Sequence, residues 1–368
     1  MKYFIVAGEA SADLHGANRI KSIKQKDNSA QFNFWGGDKM AHQAQGLLMH
    51  YKNVSIMGFV EVLMNIRSIF ANINLCQKQI SSFAPDVVIL IDYPGFNLRI
   101  AEFCKSKGIK VVYYISPKVW AWKENRAKKL EKFVDLLLLI FPFEVDYFKK
   151  WDVKTAYVGN PLMDEIHQFN PNPSFRKRNQ LSEKPIIALL PGSRKQEIKT
   201  TLPLMIKLAQ SYPNYQFLVA GAPSISKDFY AAYENQNVKI IYNQTYDILS
   251  HSIAAIVCSG TATLETALFN IPQVCAYVAH PISYRIAKML VKIKYISLVN
   301  LNLNREAICE LIQSDFNETR LKLEFEAIMP NGNKRDILLS DYVTLRNLFG
   351  VGASDKAASE ILKLLYSS

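Results

Sequence analysis

The chain alternates short apolar runs, bounded by turn residues, with stretches whose apolar positions recur at helical spacing. That alternation marks parallel α/β units, in which strands are buried on both faces by crossing helices. In the first half the pattern predicts strands at 3–7, 32–35, 87–91, 110–115, 136–140 and near 156–158. Helices are expected near 15–24, 59–70, 73–83, 98–107, 122–133 and 142–150. The turn-rich Asn170-Pro171-Asn172-Pro173, followed by the basic Arg176-Lys177-Arg178, reads as a linker. Beyond it the pattern restarts, with strands at 186–190, 216–220, 239–241, 254–258 and 273–276 and helices near 199–211, 264–268 and 283–290. The expected architecture is therefore α/β, with Rossmann-like, doubly wound domains over 1–168 and 174–350 facing each other across a cleft at their strand C-termini. The final amphipathic helix, within 353–368, can pack on either domain, including back on the first.

Two strand-to-helix turns in the second half carry candidate chemistry. Leu189-Leu190-Pro191-Gly192-Ser193-Arg194 ends one apolar run, and Ser259-Gly260-Thr261-Ala262-Thr263-Leu264-Glu265 ends another. Small residues where a helix begins let a ligand approach the backbone, and helix-start N–H groups favour an anion. Arg194 adds a fork that can neutralise a diphosphate bidentately. Glu265, one helical turn after Thr261, can accept hydrogen bonds from ribose hydroxyls; its plainer role is to stabilise the helix dipole. The pair suggests a nucleotide diphosphate held without metal.

The first half offers a complementary set. Asp92 closes the run at 87–91, where an acid can serve as general base toward a sugar hydroxyl, or simply start the turn at Pro94-Gly95. Gly8-Glu9-Ala10-Ser11-Ala12-Asp13 resembles a loosened phosphate loop without the glycine fingerprint of a nicotinamide site. Ser11, Asp13 and the nearby His15 are candidates for the first domain's cleft, and in Ser116-Pro117-Lys118-Val119-Trp120-Ala121-Trp122 the two indoles can line the cleft or pack as core. The segment 57–70 is apolar around most of its circumference, so Phe59, Val60, Leu63, Ile66 and Phe70 form either a buried helix or a lipid-touching patch.

Composition narrows the partners. Lys+Arg 44 against Asp+Glu 32 leaves a net charge of +12, which favours nucleotides, nucleic acid or an anionic lipid surface. Arg126, Lys128, Lys129 and Lys132, with Lys123, can supply such contact or form a solvated face. Five scattered cysteines without C-x-x-C spacing give no disulfide framework or zinc site, so a reducing cytoplasm is expected. The first residues lack a signal-peptide run, and the apolar 133–143 is too short to span a bilayer.

Taken in order, Gly8–Ser11, 57–62, Ile91-Asp92-Tyr93-Pro94-Gly95-Phe96-Asn97, 116–122, 189–194, 259–265, 295–300 and 310–313 resemble the lipid-A-disaccharide synthase family, bacterial glycosyltransferases of the two-Rossmann-domain GT-B type. The resemblance runs nearly end to end. It implies transfer of a diacylated glucosamine from UDP to the 6-hydroxyl of diacylglucosamine 1-phosphate, with inversion and release of UDP. It makes Asp92 the base and places Gly192, Ser193, Arg194, Ser259, Gly260, Thr261, Glu265, Asn300 and Gln313 on the UDP side. It assigns 59–70 to membrane and acyl contact, on the inner face of the inner membrane of a Gram-negative cell. It implies no metal or other cofactor and no nucleic-acid partner, and it allows an oligomer. The chain departs from the family at Ala12, where glycine is usual, and at Lys118, where a small polar residue is common; Lys118 can meet an acceptor phosphate or extend to solvent. Two other readings stay open: an epimerase or other GT-B enzyme acting on soluble UDP-N-acetylglucosamine, and a non-catalytic module that binds a nucleotide sugar or lipid.

Overall fold

A computed structural model describes residues 1–54, 66–117, 119, 124–280, 284–285 and 294–367. Phe59, Val60, Leu63, Lys118 and most of the helix expected at 283–290 lie outside the described residues, as does the side chain of Ile66. The chain forms two compact units, one of Met1–Asp164 with Phe349–Ser368 and one of Glu165–Leu348. The division falls inside the helix Pro161–Gln168, ahead of the turn-rich 170–173.

The first unit holds a seven-stranded parallel sheet of β1 (Lys2–Ala7), β2 (Gln31–Gly36), β3 (Leu47–His50), β4 (Val87–Ile91), β5 (Lys110–Tyr114), β6 (Leu136–Leu139) and β7 (Thr155–Tyr157). Its order is β3-β2-β1-β4-β5-β6-β7, so the winding reverses between β1 and β4. Every residue of β4 is buried, which is why that strand reads as one apolar run. The edge strand β3 escaped the sequence reading: it is short, half exposed and preceded by Gly46, whose φ of +112° only glycine adopts easily.

The described end of the helix expected at 59–70 runs without a break into the one expected at 73–83, as Ile66–Phe83. Ile69, Ile73, Cys76, Ile80 and Phe83 make a continuous stripe against the core, and nothing in that stripe breaks at 71–72. The helix Pro94–Ser106 starts four residues earlier than expected because Pro94 occupies its first turn, where a missing N–H costs nothing. The C-terminal helix Ala353–Tyr366 packs on Ala10–Lys26. Asp164 caps it by accepting N–H bonds from Gly352 at 2.6 Å and Ser354 at 3.0 Å.

The second unit holds a six-stranded parallel sheet: β8 (Ile186–Leu190), β9 (Gln216–Gly221), β10 (Val238–Tyr242), β11 (Ser252–Cys258), β12 (Gln273–Tyr277) and β13 (Glu310–Ile312). The order β10-β9-β8-β11-β12-β13 reverses between β8 and β11. β13, three residues long and only partly apolar, was also not foreseen.

Candidate functional site

In doubly wound sheets ligands bind beyond the strand C-termini where the winding reverses. In the second unit that point lies between β8 and β11, whose register pairs Leu190 with Val257. The two glycine-bearing turns therefore leave the sheet as neighbours.

Their backbones differ. At the β8 turn, Gly192 takes φ +109°, and a Cβ there would stand 2.5 Å from Glu197 Oε2. That oxygen accepts the N–H bonds of Ser193 at 3.0 Å and Arg194 at 3.1 Å. The expectation that this turn presents unpaired N–H groups to an anion is thus corrected: an internal carboxylate, three residues into the turn of the helix Lys195–Gln210, already takes them. What remains outward is the Arg194 side chain, 83% exposed, with one guanidinium nitrogen 3.4 Å from Glu197 Oε1.

At the β11 turn, Ser259 is tied down, its N–H donating to the Ala276 carbonyl and its hydroxyl to the Ile296 carbonyl. Gly260 is extended, a conformation any residue adopts, and among the described residues a Cβ on it would meet no atom within 4 Å. Neither strain nor packing requires a glycine there. Thr261 opens the helix Thr261–Leu268 from an exposed position, so this helix start carries positive dipole into solvent. Thr263 instead turns its hydroxyl back onto the Gly260 carbonyl at 2.8 Å.

One turn along, burial first and the neighbouring Glu165 second push the Glu265 carboxyl up to about 7. Glu165 and Glu197 carried no role in the sequence reading. Glu197 had a readable signal, an acid at the third position of a helix; Glu165 had none, because its partner is distant in sequence.

Asn300 and Gln313, placed on the donor side by resemblance, are both hydrogen-bonded within the second unit. Asn300 is fully buried, and its amide donates to the Ile308 carbonyl and Glu310 Oε1 while its oxygen accepts from Ala307 and Ile308 N–H. All four of its hydrogen-bonding positions are filled within the protein. Gln313 pairs both ways with the Ala279 backbone, at 2.6 and 3.0 Å.

In the first unit the winding reverses between β1 and β4, where Gly8 and Asp92 follow. Asp92 and Tyr93 both have φ +45°, a left-handed conformation that costs a non-glycine residue about 1–2 kcal/mol. Tyr93 folds its ring over Gly8, where a Cβ would lie 2.5 Å from it. The Asp92 N–H continues the ladder to the Tyr114 carbonyl at 3.0 Å, leaving the residue half-buried at the strand's end.

The other candidates of this unit divide. Ser11 is exposed and donates to Glu9 Oε1 at 2.8 Å. Asp13 is corrected: its buried carboxylate accepts N–H bonds from Gly37, Lys39 and Met40, holding the start of the helix Asp38–Gln43. His15 lies with its ring edge against Tyr114, and burial, then Arg19 and Lys39, lower it to about 4, so it is neutral at pH 7. Phe70 is 46% exposed, with the Arg99 guanidinium 4.7 Å from its ring centre. Among the described residues no helix is long and apolar enough to cross a membrane.

A family model for lipid-A-disaccharide synthetase matches residues 3–361. The lipid-A-disaccharide synthase of Myxococcus xanthus is 34% identical, covering 99% of this chain and 97% of its own. That of Syntrophus aciditrophicus is 36% identical, covering 99% and 98%. Among solved structures, UDP-GlcNAc 2-epimerase from Neisseria meningitidis bound to UDP-GlcNAc superposes with a TM-score of 0.67 at 13% identity, covering 100% of both chains. The Methanocaldococcus jannaschii UDP-GlcNAc 2-epimerase in complex with UDP-GlcNAc and UDP gives 0.67 at 14%, covering 99% of each. These likenesses establish the GT-B fold, two Rossmann-like domains, while the identities and the end-to-end family match decide between the synthase and the epimerase readings. The chain belongs to the lipid-A-disaccharide synthase family and is a hexosyltransferase of lipid A biosynthesis.

Proposed function

We propose that the chain transfers diacylglucosamine from UDP to the 6-hydroxyl of diacylglucosamine 1-phosphate, with Asp92 as base and the second unit as holder of UDP. The acceptor oxygen attacks the donor's anomeric carbon opposite the leaving group. The C1–O bond breaks, its electron pair goes to the β-phosphate oxygen of UDP, and the hydroxyl proton passes to the Asp92 carboxylate. The configuration inverts. Negative charge grows on the diphosphate as the bond breaks, and the Arg194 cation and the helix start at Thr261 stabilise it.

The observation that carries this reading is the neighbouring of an exposed Arg194 side chain and an open helix start at Gly260-Thr261, at the point where β8 and β11 part. In this reading Glu265, one helical turn further, accepts from the ribose hydroxyls. The exposed Phe70 beside Arg99 suits peripheral contact with anionic lipid at the inner face of the inner membrane, together with the apolar 59–65.

The test is acceptor-dependent UDP release by Asp92→Asn, run beside UDP binding. Turnover should fall by about a thousandfold, within the range for removing a general base, while UDP affinity stays unchanged. Wild-type turnover in that variant would remove Asp92 from the mechanism. Release of UDP from unacylated UDP-N-acetylglucosamine without acceptor would favour a soluble sugar-nucleotide substrate instead.

A further inference from the structure

The left-handed backbone at Asp92 and Tyr93 needs something to hold it, and two buried side chains do so, one from a helix and one from a strand. Asn97, on the first turn of the helix Pro94–Ser106, is fully buried. Its amide nitrogen donates to the Ile91 carbonyl at 3.2 Å and to the Asp92 carbonyl at 2.8 Å. Two acceptors facing the same atom assign the amide orientation, since the reversed one would oppose oxygen to oxygen. Among the described residues the Asn97 oxygen has no hydrogen-bond partner. A buried amide that leaves its acceptor unpaired while placing its donor on the end of β4 is spending its hydrogen bonding on that backbone. From β5, the Tyr113 hydroxyl donates to the same Asp92 carbonyl. Its ring is fully buried, and burial raises the phenol well above its usual value, which keeps the proton available for donation.

We infer that Asn97 and Tyr113 are positioning residues for the reaction: by both donating to the Asp92 carbonyl they fix the strained turn that aims the Asp92 carboxylate. The inference rests on the assignment of Asp92 as base. Both side chains are fully buried and act through the backbone. Their effect is on geometry, and a small misplacement of a catalytic group costs rate far more than it costs binding.

Kinetics of Tyr113→Phe, Asn97→Ala and the double variant, in the full-length protein with the acylated donor and acceptor, test it. Each single variant should lower kcat, by about tenfold to a hundredfold for Asn97→Ala and less for Tyr113→Phe, with KM for both substrates within about threefold. Because both hold one carbonyl, the double variant should lose less than the product of the single losses. A purely structural role would lower the melting temperature and leave kcat per folded molecule unchanged. Should Asn97→Ala fail to fold, Tyr113→Phe, which keeps the ring volume, decides alone: wild-type kcat in it overturns the inference. Asp92→Asn separates the two claims. If it is inactive while the clamp variants turn over normally, only the positioning inference fails; if it is fully active, the base assignment fails whatever the clamp variants do.

Discussion

The turns after β8 and β11 look alike as sequence, each with a glycine and a small hydroxyl residue ahead of a helix, yet the structure has used them differently. The β8 turn is closed on itself: Glu197 collects the N–H groups of Ser193 and Arg194, and Gly192 exists to let that carboxylate in. The β11 turn is open: among the described residues nothing would touch a Cβ on Gly260, and its helix start is exposed. An internal carboxylate supplies at one turn the anion that a ligand must supply at the other. A glycine at a strand end is therefore ambiguous until one knows what its missing Cβ would have touched.

The largest effect should come from the one group that the closed turn still offers. Arg194→Ala is expected to weaken UDP binding by about 2–3 kcal/mol, the worth of a charge-assisted pair. Calorimetric titration measures it. Arg194→Lys should recover only part of the loss, since a point charge cannot replace the fork. If Arg194→Ala binds UDP as tightly as the wild type, the closed turn takes no part in the site.

The two glycines give the sharpest contrast. Gly192→Ala should destabilise the second unit by about 1–2 kcal/mol from its left-handed backbone, with a further cost for the displaced Glu197 carboxylate. Gly260→Ala should leave the melting temperature alone but weaken UDP binding by about 1 kcal/mol, the lower end of the cost of crowding a packed contact. Reversal of that pattern, with Gly260→Ala unstable and UDP affinity intact, would mean that nothing approaches the open turn.

Legibility from sequence follows the same divide between what a residue is and what it touches. Strands at 87–91 and 186–190 are recovered to the residue because burial on both faces leaves an uninterrupted apolar run. β3 and β13 are edge strands of four and three residues; β3 is too short and too exposed to stand out as a buried run, and β13 opens on Glu310. At the site, the turns and the strand-end acid are readable because chain position alone delivers them to the sheet's C-terminal edge. The fates of Asp13, Asn300 and Gln313 are not, because each meets backbone groups 7 to 34 positions away in sequence. A motif shows which residues recur together. Whether they face a ligand or each other is decided by hydrogen-bond partners that no spacing rule supplies.

Glu265 sits between these cases, because its ionisation links the open turn to stability. Its carboxyl is raised to about 7 in the folded protein from an ordinary 4.5, so between those values the folded state holds a proton that the unfolded chain releases. Stability must therefore fall as pH rises through that window, and the full cost, of order 1–3 kcal/mol, is present above pH 7. Glu265→Gln replaces the acid with a neutral side chain of the same size. It should raise the melting temperature at pH 8 and change it little at pH 5. UDP acts in the opposite direction: ribose hydroxyls donating to Glu265 favour the carboxylate, so wild-type binding at pH 7 should release a fraction of a proton. The terminal phosphate of UDP itself titrates near pH 6, and the Gln variant, titrated in the same buffers, subtracts that contribution. Proton release equal in the two proteins would show that the ribose does not meet Glu265, and would leave the carboxyl as a buried acid stabilised only by its own protonation.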